Sequence, residues 1–255
     1  MRGFIPPRNP EEVRLFRRYE KICERSRTFS NRQFTTFLDL RQKELLNART
    51  NKTNGIRVDF SFGYQGDGER SVACIHPDWD TGEIAFPIDI IRTPLSGRET
   101  LTHRDFLGAA MALMIKREYI GDIIVKSDEC FMACHESVSS LIINELREVR
   151  RSGVRFDWYH GTLSYTRRYS RSGSTTVASM RLDSVISAIL KMSRSKAADM
   201  VRSSSVEVNH MSIDRTDFEI VDGDILSIRG IGKYMISSDG NTSRKNRLFI
   251  NYYRY

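Results

Sequence analysis

No stretch of the 255 residues stays apolar for the ~20 positions that a membrane-crossing helix needs, so no membrane partner is expected. The opening residues, MRGFIPPRNPEEVRLF, contain no hydrophobic signal core, and nothing in them directs export. Four cysteines, Cys23, Cys74, Cys130 and Cys134, are too few and too scattered to staple a chain of this length. A reducing cytoplasm is the expected address. A zinc site is not expected either. In a strand Cys130 and Cys134 face one side and His135 the other, and there is no second Cys/His cluster. No metal or cofactor is expected, and no internal repeat is visible.

Charge and aromatics are plentiful. Forty Lys and Arg oppose 32 Asp and Glu, a formal charge of +8, and 13 Phe with 10 Tyr can fill real cores. The charge is uneven: residues 1–50 hold 12 basic and 6 acidic groups, whereas 51–146 hold 9 and 15. Residues 147–180 hold 7 and 2, and 181–255 hold 12 and 9. Basic ends around an acidic middle point to a polyanionic partner, although a solvated surface gives the same balance.

The periodicity predicts a helix over 10–27, capped by Asn9, with Pro10 in its first turn and Glu11 and Glu12 at the positive end of its dipole. A second helix is predicted from Ser30, with Gln33 in capping-box spacing and Phe34, Phe37, Leu38, Leu45 and Leu46 on its buried face. A strand at 58–64 and a Gly-rich turn at 63–68 follow. From residue 84 the order becomes strand (84–91), helix (103–118), two strands (120–127 and 129–136), helix (137–149) and strand (154–161). That βαββαβ order is ferredoxin-like and is shared by many RNA-recognition domains. Only Phe131 offers an aromatic on the third strand, so base stacking on this sheet is not expected.

Residues 166–180 are small, polar and basic, with Arg167, Arg168 and Arg171, and read as a linker able to lie along a nucleic-acid backbone. Beyond it, Leu182, Val185, Ile186, Ile189 and Leu190 make a clean helical stripe. A second helix begins after Ser193, and strands follow at 206–209, 225–230, 232–237 and 247–255.

The strongest motif pattern lies in this last part. Arg181-Leu182-Asp183 opens one helix and Ser193-Arg194-Ser195-Lys196 the next; Val206-Glu207-Val208-Asn209 and Val221-Asp222-Gly223-Asp224 complete the set. Together they resemble the S4-like RNA-binding domain. A Ser-capped helix start presents backbone N–H groups to phosphate. Arg194 and Lys196 sit in that first turn, where a cation gains nothing from the dipole, which suggests an anionic partner. Candidate RNA contacts are therefore Arg181, Ser193, Arg194, Ser195, Lys196, Arg202, Asn209, Arg229 and Lys233, with Arg167, Arg168 and Arg171 as additional ones. Ser204, Ser205 and His210 stand where that domain often has turn glycines.

Gly63-Tyr64 with Gly68-Glu69-Arg70, His103-Arg104-Asp105-Phe106-Leu107-Gly108, and Gly121-Asp122-Ile123-Ile124-Val125 extend the resemblance, which becomes one to the YlmH family of bacterial S4-domain proteins. The resemblance implies an N-terminal domain, a central RRM-like domain and the C-terminal module. It implies association with the large ribosomal subunit and contact with ribosomal RNA and tRNA in ribosome quality control, the rescue of stalled subunits. It also implies a link to cell division.

Other motifs fail. The His103-Arg104-Asp105 triplet has Ala110 where a kinase catalytic loop needs Asn. Gly230-Ile231-Gly232-Lys233 lacks the spacer and the Ser/Thr of a phosphate loop. Arg181-Leu182-Asp183 is shared with pseudouridine synthases, but only about 70 residues follow it, too few for their catalytic domain. The expectation is an α+β, non-enzymatic, monomeric RNA-binding protein with a helical N-terminal domain (1–75), a central βαββαβ RRM-like domain (76–165), a basic linker (166–180) and an S4-like domain (181–255). The alternatives are an RNA-modifying enzyme that docks through the S4-like domain and a protein-interaction factor in cell division.

Overall fold

A computed structural model describes residues 4–95, 100–166, 170–238, 240–243 and 245–254, with the side chains of 170–172 set aside. It is α+β. Residues 5–167 form one compact unit; residues 168–255, with 1–4, form another.

In the first unit, α1 (Pro10–Phe29) is capped by Asn9, whose side chain accepts from the Glu12 amide at 2.8 Å. It ends at Ser30, which is left-handed at φ 50°. The helix expected from Ser30 is instead a strand, β1 (Gln33–Leu38), followed by α2 (Leu40–Thr50). Two adjacent threonines between Phe34 and Phe37 favour the pleated backbone, and Thr35 Oγ1 accepts from the Ala73 amide at 3.0 Å. The capping box belongs to Asp39 and Gln42, not Ser30 and Gln33. The strand β2 (Ile56–Ser61), the two-residue β3 (Gln65–Gly66) and β4 (Ser71–Pro77) follow; β4 lies between β1 and β2, antiparallel to both. α1 and α2 pack on this sheet through Tyr19, Cys23, Leu45, Leu46 and Ile75. Buried Arg41 locks the helices together by a double hydrogen bond to Glu12 at 2.8 and 3.0 Å.

The central part runs β5 (Ile88–Pro94), α3 (His103–Ala112), β6 (Ile120–Val125), β7 (Glu129–His135), α4 (Glu136–Glu145), the small hairpin β8 (Glu148–Val149) and β9 (Ser152–Gly153), then β10 (Asp157–Trp158) and β11 (Ser164–Tyr165). The sheet order β10-β5-β7-β6, antiparallel throughout, is the expected split βαββαβ topology. Three details differ from expectation. The first strand starts at Ile88, beyond Pro87, and the closing strand pairs over two residues only. The helix α3 stops at Ala112, six residues short of the expected end. Met114 turns left-handed at φ 63°, is 90% exposed, and leaves Ile115 and Ile120 free to reach the core.

Residues 1–75 and 76–165, expected as separate domains, share a core inside this unit, where Phe37 and Val72 meet Ala133. Gly121 is what permits the approach, because a Cβ there would lie 2.5 Å from the Phe37 ring. Its neighbour Asp122 accepts from the Tyr64 hydroxyl at 2.7 Å and the Glu69 amide at 3.0 Å, while Arg70 donates to the Phe37 carbonyl at 2.8 Å. The motif residues of this region therefore hold the two sheets together.

In the second unit, the expected linker supplies a strand. β12 (Ser170–Val177) pairs antiparallel with β17 (Leu248–Arg254), because Thr175, Thr176 and Val177 are β-branched and Val177 buries fully. The other elements are α5 (Leu182–Leu190), α6 (Arg194–Arg202), β13 (Val206–Val208), β14 (Met211–Ser212), β15 (Ile225–Ile228), β16 (Gly232–Ser237) and β17, in one sheet of order β12-β17-β16-β15-β13-β14. Ser204, Asn209 and His210 all take positive φ, so the turns keep a glycine-like path without glycine.

Candidate nucleic-acid interface

The start of α6 is built as the sequence suggests. Ser193 is extended and its hydroxyl accepts from the Lys196 amide at 3.3 Å. That satisfies one of the amides without an intrahelical acceptor and leaves those of Arg194 and Ser195 at the helix mouth. Ser193, Arg194, Ser195 and Lys196 are all exposed.

Arg194 has a partner that sequence reasoning missed. Its Nε donates to Asp183 at 3.0 Å, and Arg181 Nε donates to the same carboxylate at 3.2 Å. Asp183, in the first turn of α5, is almost fully buried. Burial works to raise its pKa, but the hydrogen bonds and charges of Arg194 and Arg181 outweigh it and hold the carboxyl below its usual range. The helix dipole gives Arg194 nothing, as expected, but Asp183 compensates it and ties the starts of α5 and α6 together, so an anionic partner outside the protein is not needed to account for this charge. Both guanidiniums keep an exposed side.

Beside Arg194 lies a cleft of about 380 Å³ lined by Thr175, Thr176, Ser184, Ser187, Lys191 and Arg247 among others, with no carboxylate among its described walls. Arg247 is anchored there by Nη2 to the Thr176 carbonyl at 2.7 Å and Nε to the Thr176 hydroxyl at 3.1 Å. Lys191 is the left-handed cap of α5. Neither was a candidate: Lys191 was readable as a basic residue between two helices, whereas only the pairing of β12 with β17 brings Arg247 to the cleft.

The remaining candidates stand elsewhere. Arg202 is at the other end of α6, paired with Asp199 at 3.1 Å. Arg229 is exposed beside that end, where its amide donates to Ser205. Lys233 lies on β16 opposite Ser227. Asn209, half-buried, organises the turn: its side chain donates to Asp224 at 2.8 Å and accepts from the Ile225 amide at 2.9 Å. Arg167 and Arg168 lie outside the described residues, as does the side chain of Arg171.

On the central sheet, Phe131 is 2% exposed. Tyr159 covers it edge-on at 5.0 Å, Leu163 and Tyr165 pack alongside, and Lys126 Nζ lies 4.6 Å from its ring. The protein's own chain thus occupies the face on which RNA-recognition sheets stack bases.

Residues 90–160, this central segment, match the family model described as "Putative RNA-binding domain in YlmH". The resemblance to the YlmH family is borne out. The chain is 25% identical over 225 residues to the ribosome-associated protein quality control protein P2 of Bacillus subtilis, covering 87% of each chain. It also resembles the solved structure of the cell division protein YlmH from Streptococcus pneumoniae, at a TM-score of 0.53 and 18% identity. That match covers 62% of this chain and 96% of the other, and supports the fold alone. No helix among the described residues is long and apolar enough to cross a membrane. No group of His, Cys, Asp and Glu among them is placed to hold a metal.

Proposed function

We propose that this protein is a non-enzymatic RNA-binding factor of the cytoplasm. It would act on the large ribosomal subunit in quality control of stalled subunits, contacting ribosomal RNA and tRNA. The observation that carries the reading is the capped, exposed start of α6 beside a cleft whose three cations are Lys191 and Arg194, from the turn between α5 and α6, and Arg247, brought in from just before β17. The resemblance of this helix pair to S4-like domains and the ribosome-associated relative support it.

The chemistry is electrostatic. Phosphate oxygens accept from the Arg194 and Ser195 amides at the positive end of the helix dipole. Lys196 and the cleft cations displace counterions from the backbone. Double-helical RNA hides its base edges in a deep groove, so this contact reads shape. Base modification plays no part in it.

Lys196 is the cleanest probe, because Arg194 is also structural. Lys196→Gln in the full chain is expected to leave thermal unfolding unchanged while weakening binding to ribosomal RNA fragments. The slope of log K against log salt should flatten by roughly 0.7–0.9. Crosslinking in cells should recover ribosomal RNA and tRNA. Unchanged affinity and slope in the folded variant, or crosslinks to neither RNA, would sink the proposal.

A further inference from the structure

The face of α1 opposite its core is a second basic surface. Leu15, Phe16, Tyr19, Ile22 and Cys23 turn toward the sheet and α2. Arg14, Arg17, Arg18, Lys21 and Arg25 are all exposed. At 3.6 residues per turn these five fall within an arc of about 100° and along roughly 16 Å of helix. Thr28 is the one other residue between 14 and 28 in that arc.

Like charges three and four residues apart destabilise a helix. Arg14–Arg18, Arg17–Lys21 and Lys21–Arg25 repeat that unfavourable spacing. The four acids of this helix do not relieve it: Glu12 is taken by Arg41 and Glu20 by Arg49, both on α2, while exposed Glu11 and Glu24 flank the arc without an ion pair to it among the described residues. Among the described residues no carboxylate within ion-pair distance serves any of the five. No ion pair among the described residues offsets the repulsion along this ridge.

We infer that the exposed face of α1 is a second phosphate-backbone contact for structured RNA, separate from the start of α6. The inference rests on the RNA-binding reading for the identity of the polyanion. A protein partner fits less well, because a protein interface core is apolar and aromatic and the arc carries no such side chain. Insertion into a lipid surface needs the apolar face of an amphipathic helix, and here that face is committed to the core.

The test uses the full chain and a double-stranded RNA of about 20 base pairs. The variant carries Arg14→Gln, Arg18→Gln, Lys21→Gln and Arg25→Gln. Removing the repulsion should hold or raise its melting temperature. RNA affinity should fall more than tenfold at low salt, and the salt slope should flatten by about 3, four contacts at roughly 0.7–0.9 each. Opposite signs for stability and affinity separate a binding surface from a structural one. Unchanged affinity in the ridge variant, with Lys196→Gln still weakened, overturns the ridge alone. A wild-type chain that binds no RNA overturns both readings. Ridge-dependent binding of polyglutamate as tight as that of the RNA overturns RNA as the partner.

Discussion

Asp183 shows how a single residue can carry both the fold and the interface. Two guanidiniums converge on one buried carboxylate, so the charges that face solvent at the start of α6 are held in place from behind. Replacing Asp183 by Asn keeps the shape and removes the charge. The expected cost is about 1–2 kcal/mol, at the lower end for charge-assisted bonds because both arginines remain partly exposed. The folded-state pKa is depressed, so the contribution is fully present above the unfolded carboxylate value near 3.9 and is lost as pH falls through the folded one. Denaturant unfolding of wild type and Asp183→Asn from pH 7 downward should therefore converge in acid. Parallel curves throughout would show that the carboxylate charge is not what stabilises. By the same geometry Arg194→Glu should lose stability, although a helix start by itself favours an acid.

At the scale of elements, the segment 30–50 shows local signals competing. Its apolar residues fit a helical stripe when counted across the whole stretch, but Thr35 and Thr36 break that stretch into a strand, and Asp39 restarts the helix. The contact between β6 and β1 depends on Gly121, where any Cβ would press into the Phe37 ring and stand 3.0 Å from the Ala133 Cβ. Gly121→Ala should destabilise the first unit by about 1–3 kcal/mol through overpacking. A Gly121→Ala, Phe37→Leu double variant should recover part of that loss in thermal melts, and strict additivity would show that the contact is not the cause. β12 makes a similar point in the second unit. A fragment 178–255 lacks it and exposes β17 as an edge, whereas 166–255 keeps the pairing of Val177 with Leu248. The longer fragment should melt cooperatively at the higher temperature; equal melting would mean that β12 adds nothing to the unit.

For the whole molecule, binding to RNA through two separate basic surfaces predicts a salt dependence steeper than either surface supplies alone. The acidic middle of the sequence fits that division. The central sheet face is filled by Phe131, Tyr159 and Leu163, whose packing on one another stabilises the fold.

By itself the sequence determined what local spacing controls. Asn9 and Ser193 capped the helices where they were expected to, and the βαββαβ order with its hydrophobic strands required the split sheet. The grouping of Ser193 to Lys196 at one helix start was legible because neighbours in sequence stay neighbours in a helix. Only tertiary structure decided the rest. Arg194 meets Asp183 across 11 residues, and Arg247 meets Thr176 across 71. A basic, polar stretch became strand β12 because its partner lies at the far end of the chain. Pairing across such separations depends on which surfaces pack, and no local pattern in composition or periodicity encodes it.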